Sequence, residues 1–381
     1  MEKSRKKILV AISGGVDSAV SAALLKKQGF DVFGVYFCFF NGKNSKKSLN
    51  KAKKVAKALN ISLKIIDAKK DFKKKIVDYF IDSYKKGITP NPCVVCNKEM
   101  KFQLLFDLME KGKADYIATG HYAKVARQSS AFPSASSADS PKPSFNYKLL
   151  EAADKSKDQS YFLYKLTQKE LARIIFPLGE LKKTEVKKLA KKLKLPVFGE
   201  EESQDVCFLT DNDINKFLKK NLKPKSGDIV DETKNILGKH KGLPFYTLGQ
   251  RKGIEIGPPA SRQKWEAIRA SGPGPYFVVR KNIKKNEIVV TKDPKRLLKK
   301  KFEVYQVNWV HPHTKKKERG FFGVGVKVQI RYHAEKVSAI IKSGKFGQYT
   351  IEAKKSLRAV TPGQSAVFYK NSEVLGGGTI C

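Results

Sequence analysis

Short apolar runs alternate with helically spaced apolar positions through the first half of the chain. Residues 8–12 form one run, bounded by Ser13-Gly14-Gly15. Over 17–27 the apolar positions Val20, Leu24 and Leu25 share a helical face, and Gly29 stops it. Further runs lie at 32–37, 63–67 and 116–120, with helical spacing at 46–59 and 72–85 between them. Strands alternating with helices predict a parallel sheet with crossover helices. Ligands on such sheets sit at the carboxyl ends of the strands. Helical spacing returns over 100–109 and over 169–195, where Leu171, Ile174 and Ile175 come first and Val186, Leu189, Ala190 and Leu193 follow.

Beyond residue 209 the pattern changes. Gly and Pro become frequent, and short β-type runs appear at 228–230, 246–248, 276–279 and 288–291. From Lys301 onward alternation dominates, at 302–307, 324–330, 338–341, 349–352 and 365–369, which predicts a small β-barrel. The chain therefore reads as an α/β protein of three units: a parallel-sheet domain over 1–209, a small central domain over 210–273 and a C-terminal β-barrel over 274–381. The Ser-, Ala- and Pro-rich stretch 128–144 reads as a surface insertion with no assigned function.

Charge changes the picture. The 381 residues hold 77 Lys and Arg against 36 Asp and Glu, a net charge of +41, which favours a polyanionic partner. Lysines cluster at 182–194, 216–225, 299–301 and 315–317. A hydrophobic share of 41% excludes a disordered chain. No apolar run reaches the ~18 residues of a membrane span. The segment after MEKSRKK is too short and glycine-broken for a signal peptide. Five cysteines, an odd number, do not read as a secreted disulfide framework, so a reducing cytoplasm is expected.

Ser13-Gly14-Gly15-Val16-Asp17-Ser18 follows a predicted strand and opens a predicted helix. Glycines let a phosphate approach the backbone, and the helix start offers N–H groups and a positive dipole end. Asp17 would repel phosphate alone, and a shared Mg²⁺ resolves that conflict. The string lacks the Gly-Lys-Ser/Thr of a Walker A loop. It resembles the pyrophosphatase-type loop of enzymes that cut ATP between the α- and β-phosphates.

Cys93 and Cys96 lie in Thr89-Pro90-Asn91-Pro92-Cys93-Val94-Val95-Cys96, and Cys207 lies in Asp205-Val206-Cys207-Phe208. The Pro-Asn-Pro stretch is expected to stop any helix before Cys96. A thiol just ahead of the 100–109 helix would gain thiolate character from the dipole and from Lys98 and Lys101. Cys38 reads as a small packed hydrophobe.

These segments together resemble the bacterial-type tRNA-specific 2-thiouridylase family. The matches are SGGVDS at 13–18, TPNPCVVCNKEMKF at 89–102, ATGHYAKV at 118–125 and KDQSYFLYKL at 157–166. They continue with FPLGELKKTEVKKLA at 176–190, ESQDVCFL at 202–209, LPFYTLGQRKGIEIG at 243–257 and AVTPGQSAVFY at 359–369. The resemblance implies an ATP-pyrophosphatase domain of the adenine nucleotide alpha hydrolase type. It implies ATP-dependent 2-thiolation of the wobble uridine, position 34, in tRNAs for Lys, Glu and Gln, with Mg²⁺ as cofactor and a sulfur-donor protein as partner. It assigns nucleotide contacts to Ala11, Ile12, Ser13, Gly14, Gly15, Val16, Asp17, Ser18, Phe37 and Gly120. It makes Cys207 the persulfide carrier and Cys96 the catalytic thiol, with Asp17 serving the phosphate chemistry. It assigns tRNA contacts to Asn91, Pro92, Cys93, His121, Lys157, Asp158, Gln159, Arg331, Tyr332 and Gln364.

One position departs from the family, which often has Asp where this chain has Cys93. Cys93-x-x-Cys96 alone reads as a redox pair or half a metal site, and Cys207 as a third thiol leaves an iron–sulfur cluster open. The persulfide route is favoured, because two reactive thiols suffice to hold and expel sulfur. From another class, a small-molecule ATP-pyrophosphatase ligase would use the same loop but neither Cys96 nor Cys207.

Overall fold

Strand β1 (Lys7–Ala11) is the middle of a five-stranded parallel sheet, and its two faces pack into two different cores. Ile8 and Val10 enter one with helix α1 (Val16–Lys27), while Leu9 and Ala11 pack against the other. Burial on both sides is why the strand reads as a continuous apolar run. The structure is a computed structural model and describes residues 5–129, 145–199, 206–209, 213–257, 275–310, 326–344 and 347–381.

The chain continues through β2 (Asp31–Cys38), α2 (Lys43–Ala58), β3 (Leu63–Asp67), α3 (Lys69–Phe72) and α4 (Asp78–Lys85). Next come α5 (Pro92–Cys96), α6 (Gln103–Lys111) and β4 (Tyr116–Ala118). A hairpin follows, β5 (Ala123–Ser129) with β6 (Phe145–Glu151), then α7 (Gln168–Leu171), β7 (Ile174–Ile175) and α8 (Lys183–Lys192). The sheet order is β3-β2-β1-β4-β7, all parallel. Ile174 and Ile175, expected in a helix, instead form the edge strand beside β4. Two β-branched residues suit a strand, and the helical pattern resumes only at α8.

Helix α9 (Ile214–Asn221) leads into a second sheet of β8 (Gly227–Val230), β9 (Ile236–His240), β10 (Phe277–Asn282) and β11 (Glu287–Thr291). Its order is β10-β11-β8-β9, with β11 parallel to β8. The runs at 276–279 and 288–291, which the sequence reading assigned to the barrel, therefore belong to the central sheet. Their apolar residues Val278, Ile288 and Val290 share a core with Ile229 and Leu237. The run at 246–248 forms no strand, because it follows a tight turn at Leu243–Phe245.

The remaining strands are β12 (Leu298–Trp309), β13 (Lys327–Gln329), β14 (Val337–Ser343), β15 (Tyr349–Arg358), β16 (Ser365–Lys370) and β17 (Glu373–Ile380). They pair in the order β12-β15-β14-β13-β16-β17, and β17 pairs back onto β12, closing a six-stranded barrel. The start of β17 also pairs with β6, so the β5–β6 hairpin extends the barrel sheet from the first half of the chain. Most of the 128–144 insertion, and Lys315 to Lys317, lie outside the described residues.

Candidate active site

The turn from β1 into α1 is built around glycine. Gly14 has φ +84°, and a Cβ there would stand 2.5 Å from the Ser48 carbonyl oxygen. Neither the conformation nor the space admits a side chain. Gly15 is the N-cap of α1, and no side chain caps the helix. Inside the turn the Ser18 hydroxyl donates to the Gly15 carbonyl at 3.0 Å and accepts from the Ser13 N–H at 3.2 Å. Ile12 and Val16 are buried on either side, and the Ile12 N–H donates to the Val35 carbonyl of β2 at 2.8 Å. Gly120, just past β4, has its own reason to be glycine: a Cβ would lie 2.8 Å from Ser18 N and 3.0 Å from the Asp17 carbonyl carbon. Phe37, near the end of β2, stacks on Phe39 at 5.7 Å between ring centres.

Asp17 opens α1 and carries two partners absent from the sequence reading. Its Oδ1 accepts from the Lys183 ammonium at 2.6 Å and from the Tyr122 hydroxyl at 2.8 Å. The Lys183 side chain is only 8% exposed and Asp17 is 32% exposed, so the cation is the deeper member of the pair. Tyr122 is fixed in turn by Gln159, which accepts from the Tyr122 N–H through Oε1 at 3.1 Å and donates its own N–H to the Tyr122 carbonyl at 2.8 Å. The signals were available in the Lys183 and Tyr122 of the FPLGELKKTEV and ATGHYAKV segments, but nothing in their spacing tied either to Asp17.

The cysteine segment is helical from Pro92. α5, a π-helical stretch at Asn97–Phe102 and α6 run on without a break. The expectation that Pro-Asn-Pro excludes helix before Cys96 is corrected: Pro92 occupies the first helical position, where its missing N–H costs nothing. Cys96 therefore sits a turn into the helix and is buried with Phe72, Ile76 and Met100. Burial pushes its thiol up to about 12, against the pull of the Lys101 charge. The expected thiolate character is thus overridden by desolvation. Lys98 takes no part, because its ammonium binds both carboxylate oxygens of Glu170 at 2.7 Å.

Cys207 reaches the same neighbourhood through its neighbour. Phe208 packs against Phe72 at 5.8 Å and Phe80 at 5.3 Å, which anchors residues 206–209 on the core that covers Cys96. Cys93 and Cys207 are exposed, but they stand in crowded surroundings that push both thiols up, and Lys101 opposes the shift at each. Cys96 feels the charges of Cys207 and Cys93. The three sulfurs thus share one neighbourhood around Lys101. Among the described residues no group of three or more His, Cys, Asp and Glu is arranged to hold a metal ion, so the geometry lends no support to a cluster.

His121 lies between the two halves of the site. Its Nδ1 is 2.7 Å from the Thr119 hydroxyl, and its ring stacks on Phe102 at 5.8 Å. Burial and the Lys101 charge hold its pKa down to about 3, so it is neutral. Lys101 therefore acts on His121 and on all three thiols, while Gly120, one residue away, abuts Asp17 and Ser18 of the glycine turn.

Several residues expected at tRNA serve the protein's own joints. Asp158 is buried and accepts from the Ala152 N–H at 2.8 Å and the Ser160 hydroxyl at 2.7 Å. That carboxylate is turned inward, onto the backbone and hydroxyl of its own loop. Asn91 is buried beside Ser365, with its amide 3.4 Å from the Ser365 hydroxyl. Gln364 donates to the carbonyls of Thr89 and Pro90. Arg331 donates to the Ala359 carbonyl at 2.7 Å, and Tyr332 packs on Phe162 at 4.6 Å. Lys157 is half-buried, and Pro92 is buried at the helix start.

Three family models match in sequence along the chain. They are a tRNA methyl transferase HUP domain over residues 6–211, a tRNA methyl transferase PRC-barrel domain over 215–292 and an aminomethyltransferase beta-barrel domain over 299–380. The chain is 39% identical to the tRNA-specific 2-thiouridylase MnmA 1 of Thermoanaerobacter pseudethanolicus, across 99% of this chain and 98% of that protein. It is 36% identical to the tRNA-specific 2-thiouridylase MnmA of Buchnera aphidicola subsp. Schizaphis graminum, across 100% of this chain and 98% of that protein. A glycine turn between strand and helix, a gathered set of thiols and full-length identity of this order lead to one assignment: the chain belongs to the tRNA-specific 2-thiouridylase family.

Proposed function

We propose that this protein uses ATP to replace O2 of the wobble uridine of tRNA, position 34 in tRNAs for Lys, Glu and Gln, by sulfur. The observation that carries the reading is the placement of Lys101, which acts on Cys93, Cys96, Cys207 and His121 at once. His121 adjoins Gly120, and Gly120 abuts the phosphate loop. That arrangement suits a reaction in which a nucleotide phosphate activates O2 of the uridine and a sulfur nucleophile attacks the adjoining C2.

The phosphate loop holds ATP, with the amides at the start of α1 facing the phosphates. Uridine O2 attacks the α-phosphorus, and the bond to the β-phosphate oxygen breaks with its electron pair on pyrophosphate. The terminal sulfur of a Cys207 persulfide then attacks C2. Cys96 gives up its thiol proton to solvent as it attacks Sγ of Cys207, the S–S bond breaks toward the transferred sulfur, and AMP leaves with the former O2. A Cys96–Cys207 disulfide remains, and an external thiol reduces it. Asp17 fits a Mg²⁺ site only as a single carboxylate completed by phosphate oxygens, and the ion would supply charge neutralisation there. A sulfur-donor protein reloads Cys207 in the cytoplasm. The parallel-sheet unit carries the chemistry, and the lysine-rich central and barrel units hold the tRNA backbone, which makes binding salt-dependent.

Nucleoside mass spectrometry of tRNA incubated with the protein, ATP and a persulfide donor tests the reading. The expected product is 2-thiouridine at the wobble position. Cys207→Ser is expected to abolish it while tRNA-dependent pyrophosphate release continues. Full thiolation by that variant overturns the sulfur assignment, and pyrophosphate exchange driven by a small acid or amide without tRNA overturns the substrate.

A further inference from the structure

The helix α9 has no task in the reaction as described, yet it touches the turn that carries Cys207. Phe208 packs against the core that buries Cys96 and also against the core of Phe80, Tyr84 and Leu218. That second core joins distant parts of the chain. Phe80 and Tyr84 belong to α4, beside the parallel sheet, whereas Leu218 belongs to α9, which leads into the central sheet. Phe245, from the turn at Leu243–Phe245, packs on it as well.

Cys207 and Phe208 are the middle residues of a turn closed by the Leu209 N–H, which donates to the Val206 carbonyl at 3.0 Å. The thiol is exposed and the ring is partly buried. Three rings hold it: Phe72 at 5.8 Å, Phe80 at 5.3 Å and Phe217 of α9 at 5.5 Å, with interplanar angles of 72°, 86° and 62°. Such edge-on contacts fix orientation as well as position, because the positive rim of one ring meets the negative face of another. Phe217 also meets Phe80 at 6.0 Å, so these two rings and Phe208 form a closed triangle. Asp213 caps α9 by accepting from the Lys216 N–H at 3.0 Å, and Leu218 is fully buried, which seats Phe217 on the other two rings.

Sulfur transfer needs Sγ of Cys96 to reach Sγ of Cys207. Cys96 is fixed in α5, so the placement of Cys207 rests on its turn. The effective concentration of one thiol at the other depends on how firmly that turn is held. We propose that Phe217 of α9 is a positioning residue for sulfur transfer: it presses Phe208 onto Phe72 and Phe80 and so keeps the Cys207 sulfur within reach of Cys96. This rests on the persulfide route above. Neither ring takes part in a bond. Cys96 still loses its proton as its bond to Sγ of Cys207 forms, and the transferred sulfur still leaves with the electron pair of the persulfide bond.

The test reads the Cys96–Cys207 disulfide without tRNA. Each protein carries Cys93→Ser, so that Cys93 cannot compete, and is equilibrated anaerobically with reduced and oxidised glutathione. Closing the pair turns one glutathione disulfide into two glutathiones, and peptide mapping gives the fraction closed. Phe217→Ala is expected to lower the equilibrium constant for closure about tenfold, the scale of two lost edge contacts, which makes the potential about 30 mV less negative. Phe208→Ala is expected to lower it at least as far, and Phe217→Tyr, which keeps the ring, to stay within about twofold. With Cys93 restored, thiolation by Phe217→Ala is expected to fall in step, while tRNA-dependent pyrophosphate release stays within about twofold and shows that the variant is folded. Phe217→Leu keeps apolar volume without the ring edge and carries the same comparison if the Ala variant fails to fold. An unchanged potential in Phe217→Ala, a loss in Phe217→Tyr as large as in Phe217→Ala, or equal loss of pyrophosphate release and thiolation in Phe217→Leu overturns the inference. If Cys96 and Cys207 form no disulfide with Phe208 and Phe217 intact, the persulfide route itself falls, and this inference with it.

Discussion

Gln364, on the barrel turn that leads into β16, donates its side-chain amide to the Pro90 carbonyl at 3.0 Å, two residues before the helix of Cys93 and Cys96 begins. The same amide donates to the Thr89 carbonyl at 3.1 Å, and the Thr89 N–H donates to the Pro362 carbonyl at 3.1 Å. The barrel thus grips the backbone that starts the helix of Cys93 and Cys96. Gln364→Ala removes two hydrogen bonds and strands two carbonyls, a loss of about 1–3 kcal/mol. Thiolation is expected to fall severalfold, with pyrophosphate release nearly unchanged, because the phosphate loop lies elsewhere. Parallel assays of the two steps check this, and equal loss in both would remove the grip as the explanation.

The thiols make a second test. With its pKa pushed up to about 12, Cys96 is almost wholly protonated at neutral pH. Iodoacetamide at pH 7.5 without tRNA is expected to label exposed Cys93 and Cys207 before buried Cys96. Lys101→Met removes the charge that opposes the upward shift at all three, so each should label more slowly. Peptide mapping against time reads the order, and fastest labelling at Cys96 would contradict its burial.

Gly120 and the phosphate loop share van der Waals space. Gly120→Ala places a methyl 2.8 Å from Ser18 N and 3.0 Å from the Asp17 carbonyl carbon. Backbone on both sides must shift, because neither neighbour is a flexible side chain. ATP affinity is expected to fall tenfold or more, about 1.4 kcal/mol, while tRNA binding in a filter assay changes little. Unaltered ATP affinity would mean that the loop tolerates displacement.

Lys281 gives a pH dependence with a defined sign. It donates to the Gly87 carbonyl at 3.2 Å, just past α4, and burial pulls its pKa from 10.5 down to about 8. Between pH 8 and 10.5 the unfolded chain therefore binds more protons at this residue than the folded one. The stability contributed by Lys281 rises with pH across that window, by at most about 1.4 kcal/mol per pH unit. Below pH 8 both states hold the proton and the slope vanishes. Lys281→Met is expected to remove this contribution from urea denaturation profiles; an identical profile in the variant would show that the ammonium is solvated.

What the sequence determined by itself is local in origin. The turn at 13–18 is contiguous, so its glycines, its helix start and the apolar strand before it declare one another within a few residues. The sheet's strands were legible for the same reason, since burial on both faces writes itself as short apolar runs. The cysteines were legible as chemistry but not as thermodynamics. Cys96 looked activated until the structure packed Phe72, Ile76 and Met100 around it, because desolvation depends on neighbours that arrive from elsewhere in the chain. Tertiary structure alone decided that Lys183 meets Asp17, that Gln364 grips Thr89 and Pro90, and that Phe208 carries Cys207 to the Cys96 core. It also decided that the β5–β6 hairpin joins the barrel and that β10 and β11 leave it for the central sheet. Strand pairing and ion pairing across hundreds of residues follow from which surfaces pack together, and the periodicity of any one segment records only that it has a surface to bury.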